Sequence, residues 1–197
     1  MSGLYALGFL IYGVTIPAQL GKMLSFIPLL VVAIFAVLDN WLWRKGPILR
    51  LVKLPLLDGT WVGILTSIRR DENDKRITSE QEITMVFRQA LTSTSVTLMT
   101  ATSKSRSSTA QFRTPQKDDY LLEYQYSNTP KLEFRDSLTA HVGGSVIEVA
   151  GSRPDEIVGE YWTARDTKGT YELHRISNKK ASSLKQAREM SREAGGA

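Results

Sequence analysis

The sequence predicts an N-terminal two-helix transmembrane hairpin joined to an all-β domain, a compact and mostly antiparallel eight-stranded β-barrel of up-and-down type. Three observations predict it. Residues 3–20 and residues 24–38 contain no charged side chain. Between residues 58 and 176, short runs of β-forming residues recur between turn signals. No amphipathic helical period interrupts that span, so no crossover helices are available for a parallel sheet.

The hairpin is expected over residues 1–45, with helices at about residues 3–20 and 24–43. At ~1.5 Å per residue, such stretches match a hydrocarbon core of ~30 Å. Gly21-Lys22 leaves room only for a tight tip, and Pro17 and Pro28 fall near it. Arg44, Lys45, Arg50 and Lys53 follow the second stretch, against Lys22 alone at the tip. The positive-inside rule therefore puts both termini and everything after residue 44 in the cytosol, and Trp41 and Trp43 suit an interfacial belt. A cleaved signal peptide is opposed by the lack of a basic leader and of an A-x-A site. A hairpin buried in a soluble protein is opposed by its length and its abrupt basic flank. Asp39 reads as an interface residue or as an intramembrane acid; its neighbours Asn40, Trp41 and Trp43 favour the interface.

Residues 46–57 are expected to be a basic juxtamembrane linker. Residues 59–68 form the first strand, and the charged turn 69–76 leads to a second at 81–88. A third covers 95–102. Residues 103–108 are polar and read as a turn or a strand edge. A short fourth strand spans 109–113, closed by Pro115 and Asp118-Asp119. The fifth, 120–126, ends at the turn Asn128-Thr129-Pro130. A sixth covers 132–141, Gly143-Gly144 turns into 145–149, and 157–165 pairs with 170–176 as the last hairpin. Closing such strands into a barrel removes exposed edges, and a barrel of about eight strands has room for side chains or one small ligand. Residues 177–197 read as a frayed helix or a basic flexible tail.

The net charge of +5 divides as +4 over residues 1–57, −2 over 58–176 and +3 over 177–197. The globular part is slightly acidic, which argues against a DNA or RNA polymer as partner; the basic flanks suit anionic lipid headgroups. No cysteine and only two histidines are present, so thiolate chemistry is excluded and a metal site is not expected. No nucleophile elbow, Walker loop or dinucleotide fingerprint occurs, so no enzyme activity, catalytic residue or cofactor is expected.

Strand alternation puts Thr100, Thr102, Lys104 and Arg106 on one face, and hydroxyls with an arginine suit a phosphate. An exposed edge strand carries the same residue types. Tyr120, Leu122, Tyr124 and Tyr126 share another face, either as a stacking wall or as ordinary core. Tyr161, Thr163 and Arg165 share a third. His141 adjoins the flexible Gly143-Gly144. Gly59-Thr60-Trp61 has the G-x-W form that opens lipocalin-like barrels, where the tryptophan plugs the base.

Taken in order after a two-helix anchor, Leu57-Asp58-Gly59-Thr60-Trp61-Val62-Gly63, residues 100–108 and 124–130, His141-Val142-Gly143 and residues 159–165 resemble one family. It is that of the SMODS-associating two-transmembrane, β-strand-rich effectors, the membrane effectors of bacterial CBASS anti-phage systems. The resemblance implies that a partner nucleotidyltransferase makes a cyclic dinucleotide on infection. The barrel at 58–176 would sense it, homo-oligomerise and disrupt the bacterial inner membrane, aborting infection. Within that frame, face and chemistry nominate Arg106 and Arg165 for phosphates, Thr100, Thr102, Asn128 and His141 for polar edges, and Tyr126 and Tyr161 for base stacking. The alternatives are a membrane-tethered lipocalin-like lipid or hydrophobe carrier, and an interaction module acting through its basic tail. Inward-facing Thr102 and Arg106 would favour a nucleotide; an apolar lining would favour a lipid.

Overall fold

β-branched and aromatic residues at alternate positions give each strand one apolar face, and eight such faces close on one another. A computed structural model describes residues 24–71, 73–116 and 119–195. The strands are β1 (Gly59–Arg70), β2 (Arg76–Gln89), β3 (Thr94–Met99), β4 (Ser103–Gln116), β5 (Asp119–Pro130), β6 (His141–Ala150), β7 (Glu156–Thr163) and β8 (Lys168–Ser177). They form a closed barrel in chain order, every neighbour antiparallel, with β8 returning to β1.

The ends of the barrel differ. At the end where β1 begins, the lumen is filled by Trp61, Phe87, Leu122, Ile147, Val149 and Leu173, with Leu57 beneath. Trp61 is fully buried and donates its indole N–H to the Leu57 carbonyl at 2.9 Å. Phe87 meets it edge-on at 6.0 Å, and the Arg175 guanidinium lies 4.5 Å over its ring. The G-x-W tryptophan is therefore the plug of a closed base. Gly59, at φ +137°, permits the chain to enter β1 against the Ser177 carbonyl.

Several expected boundaries move. Residues 103–116 are one continuous strand, and β5 runs through Asn128 to Pro130 where a turn was expected. Residues 132–134 form a 3-10 turn, and the sixth strand starts at His141. Gly143 and Gly144 lie inside β6, because large side chains press on them: a Cβ at Gly143 would stand 2.5 Å from the Tyr126 hydroxyl, and one at Gly144 2.4 Å from the Trp162 ring.

Before the barrel come α1 (Ile27–Asn40), a 3-10 turn (Leu42–Arg44) and α2 (Gly46–Val52). The first expected hairpin helix, residues 3–20, lies outside the described residues. The second was expected over 24–43; α1 has 14 residues, with Pro28 in its first turn, and spans ~21 Å at 1.5 Å per residue. Among the described residues no helix is long and apolar enough to cross a membrane. None of the α1 side chains is buried: Leu29, Val32 and Phe35 are 66%, 65% and 53% exposed.

The expected linker is instead packed against the base. Trp43, Leu49 and Leu57 are buried. Asp58 accepts from Arg44 at 2.6 Å, from Lys180 at 2.7 Å and from the Gln89 N–H at 3.0 Å. Arg44 also donates to the Gln89 carbonyl. Asp39 accepts from the Thr92 N–H and hydroxyl, each at 2.9 Å, which fixes the end of α1 to the β2–β3 turn. The tail forms α3 (Leu184–Gly195). Its Leu184, Ala187 and Met190, with Ala181, pack on Val86 and Met99 of the outer wall.

Candidate functional site

The other end of the lumen is neither plugged nor apolar. A cavity of about 170 Å³ lies there, lined by residues of all eight strands and of the hairpin turns beyond them. It sits at the opposite end of the barrel from α1, because β1 leaves the base and reaches this end at Arg70.

The floor is a tyrosine network. Tyr171 contacts the Ser145 hydroxyl at 2.6 Å, and Ser145 donates to the Glu160 carbonyl at 2.7 Å. The Ser145 proton is thereby committed, so Tyr171 is the donor in their contact. Tyr124 lies 3.4 Å from the Tyr171 oxygen and completes the chain. Burial holds Tyr124, Tyr126, Tyr161 and Tyr171 protonated, each with its pKa raised. Room for the Tyr171 ring comes from its cross-strand partner on β7: a Cβ at Gly159 would stand 2.3 Å from that ring. Leu65, Val96 and Leu98 form an apolar flank.

One side of the wall carries hydroxyls. The Asn128 amide donates to Ser103 and Ser105, each at 2.9 Å, across the β4–β5 pair. At the rim, Arg165 donates to the Thr139 hydroxyl at 3.0 Å and to His141 Nδ1 at 2.7 Å. Arginine cannot accept, so Nδ1 is the acceptor and the neutral ring carries its proton on Nε2. Burial first and the Arg165 charge second hold the His141 pKa below its ordinary value, against an opposing contribution from the Thr139 carbonyl. The rim thus presents one permanent cation and one neutral imidazole. Among the described residues no cluster of histidine, aspartate and glutamate could hold a metal ion.

Six of the eight nominated side chains line this cavity: Thr100, Asn128, Tyr126, His141, Tyr161 and Arg165. Thr102 and Arg106 do not. The alternation that grouped them with Thr100 assumed an unbroken strand. A hairpin turn at Ala101-Thr102 intervenes, closed by Thr100 N–H donating to the Ser103 carbonyl at 3.0 Å. After it, Ser103 and Ser105 point inward, while Arg106 is exposed on the outer wall with Lys104 nearby. Burial, then Arg106 and Arg88, lower the Lys104 pKa, which marks that wall as locally cationic. The Thr100 hydroxyl accepts the Ser103 N–H at 2.9 Å, so it shapes the turn. Sequence reasoning missed Ser103, Ser105, Ser145 and Tyr171. The pairing of Asn128 with Ser105 is the register signal that would have found two of them.

A family model described as Cap15, cyclic dinucleotide receptor domain, matches residues 52–175, from the end of α2 through β8. No curated protein matches the chain.

Proposed function

The chain belongs to the Cap15 cyclic dinucleotide receptor domain family, that of a CBASS effector, and on that premise we propose that its cavity captures a cyclic dinucleotide. The observation that supports this most is the pairing of a neutral, tyrosine-floored cavity with a single rim cation, Arg165. One base enters between Tyr126 and Tyr161 and against Leu65, Val96 and Leu98. Aromatic faces stack on any base, at ~1–3 kcal/mol each. Arg165 takes the adjoining phosphate, His141 donates through Nε2, and Asn128 with Ser103 and Ser105 reads polar edges. The protein acts as a receptor and performs no chemistry on the ligand.

A pocket that encloses a small molecule has ~300–1,000 Å³, and this one has about 170 Å³. The ligand's second nucleotide therefore stands at the mouth, where it draws in a second copy of the chain. That step links binding to homo-oligomerisation. A partner nucleotidyltransferase supplies the ligand.

The membrane part of the reading rests on α1. A helix apolar on all sides is stable only inside a core or a bilayer, and nothing in the described chain covers α1. We place it, with residues 3–20, as a multi-pass anchor in the bacterial inner membrane. The barrel and both termini face the cytosol, and assembled copies disrupt the bilayer to abort phage infection.

Calorimetric titration of the full chain in detergent with a panel of purine and pyrimidine cyclic dinucleotides tests the reading. Saturable binding of at least one is expected, and binding of none refutes it. The apolar flank keeps a hydrophobe carrier in view. That reading predicts that the delipidated chain binds a fluorescent fatty acid, which the hydroxyls and Arg165 oppose.

A further inference from the structure

A second concavity, of about 420 Å³, lies at the plugged end of the barrel. Arg44, Arg153, Arg175 and Lys180 converge on it against only Asp58 and Asp155. Asp58 is already held by Arg44 and Lys180. Arg175 is committed to the Leu56, Pro154 and Asp58 carbonyls and to the Trp61 ring. Arg153 is exposed, and its side chain donates to the Arg44 carbonyl at 3.4 Å. The concavity thus gathers four cations against two carboxylates. A monovalent anion there would relieve the mutual repulsion.

The position says which anion. Arg44 lies four residues beyond Asn40, the last residue of the uncovered apolar helix α1. Between them Trp41 is 56% exposed, with the Lys45 ammonium 4.7 Å over its ring, the arrangement of an interfacial anchor. Leu56 and Pro154 add an apolar lip beside the cations.

We propose that this basal pocket is a phosphodiester site for the headgroup of an anionic phospholipid, gripped by Arg153, Lys180 and Arg44. The inference rests on the membrane reading given above. The phosphate enters at the level where α1 leaves the bilayer, and the first carbons of the lipid lie on Leu56 and Pro154. A bound headgroup holds the barrel base flat against the membrane through the same Asp58 hub that ties α1 and the α3 segment together.

The test uses the full chain in a neutral detergent, with quenching of its tryptophans by brominated phosphatidylglycerol compared with brominated phosphatidylcholine. Saturable quenching by phosphatidylglycerol at tenfold or more lower concentration is expected. The preference should fall at least fivefold in R153A, whose guanidinium bridges no carboxylate, and further in R153A/K180A, with phosphatidylcholine quenching unchanged. Equal quenching by both lipids overturns the site alone. Quenching by neither overturns it together with the membrane anchor. A preference retained in both variants overturns the residue assignment. Displacement of the lipid by inorganic phosphate at equal concentration overturns it in favour of a soluble anion.

Discussion

Removing the Arg165 guanidinium is the most informative perturbation of the upper cavity. It is exposed at the rim, yet oriented by the Thr139 hydroxyl at 3.0 Å and by His141 Nδ1 at 2.7 Å. Those contacts use two of its five N–H donors and leave the rest for a phosphate. A hydrogen bond to a charged group contributes ~1.5–3 kcal/mol, and exposure to water selects the lower end. Arg165→Ala should therefore weaken cyclic dinucleotide binding by about 1.5 kcal/mol, roughly tenfold in Kd. Arg165→Lys keeps the charge but loses the planar fork, so its loss should be smaller. Calorimetry of the full chain at two salt concentrations reads both effects, and R165A should also flatten the salt dependence. Arg106→Ala, on the outer wall, is the control and should bind like the parent. Binding by R165A within about twofold of the parent, or a greater loss in R106A, would refute the placement of the phosphate at the rim. The same variant removes one cause of the low His141 pKa, so the imidazole should titrate at higher pH in R165A by nuclear magnetic resonance.

Trp61→Ala should cost ~3–5 kcal/mol, the usual range for a buried aromatic, because it also strands the Leu57 carbonyl and the Arg175 face; a urea denaturation midpoint measures it. Asp58→Asn leaves two cations without their partner. Breaking a buried pair costs ~3–5 kcal/mol, but Arg44 and Lys180 are 27% and 35% exposed, so water recovers part of it. A loss of about 2 kcal/mol is expected, a fall in melting temperature of ~4–8 °C. His141 gives a pH signature. Its folded pKa lies below 6.5, so the unfolded chain takes up the proton first as pH falls. Its contribution to stability is complete above pH 6.5 and declines as pH drops toward the folded value. His141→Gln should remove that part of the slope in melting curves taken between about pH 5 and 7.

The barrel was legible because its signals are local. Strand alternation, turn residues at regular spacing and the G-x-W entry each act within a few residues. What escaped the sequence depends on partners far along the chain. Gly143-Gly144 read as a turn because glycine usually punctuates loops. In the barrel it is glycine because Tyr126 and Trp162 press on β6 from both faces. The inward face of β4 was misassigned because a short turn at Ala101-Thr102 resets the alternation, and a register shift between Ser107 and Thr109 changes it again. Tyr126 and Tyr161 line the cavity in the alternation the sequence predicts, whereas Asn128 lines it from within β5 and not from a turn, and Arg165 from the turn after β7. The docking of α3 was invisible, since it answers to Val86 and Met99 on the outer wall. The packed base was hidden too, because Asp58 is joined to Arg44 and Lys180 only by the fold.

A crystal structure of the chain with a bound cyclic dinucleotide tests the central claim most directly. The account predicts one base between Tyr126 and Tyr161 and a phosphate oxygen within hydrogen-bonding distance of Arg165, with the second nucleotide at the mouth. A ligand on the outer wall beside Arg106, or an acyl chain filling the upper lumen, would contradict it.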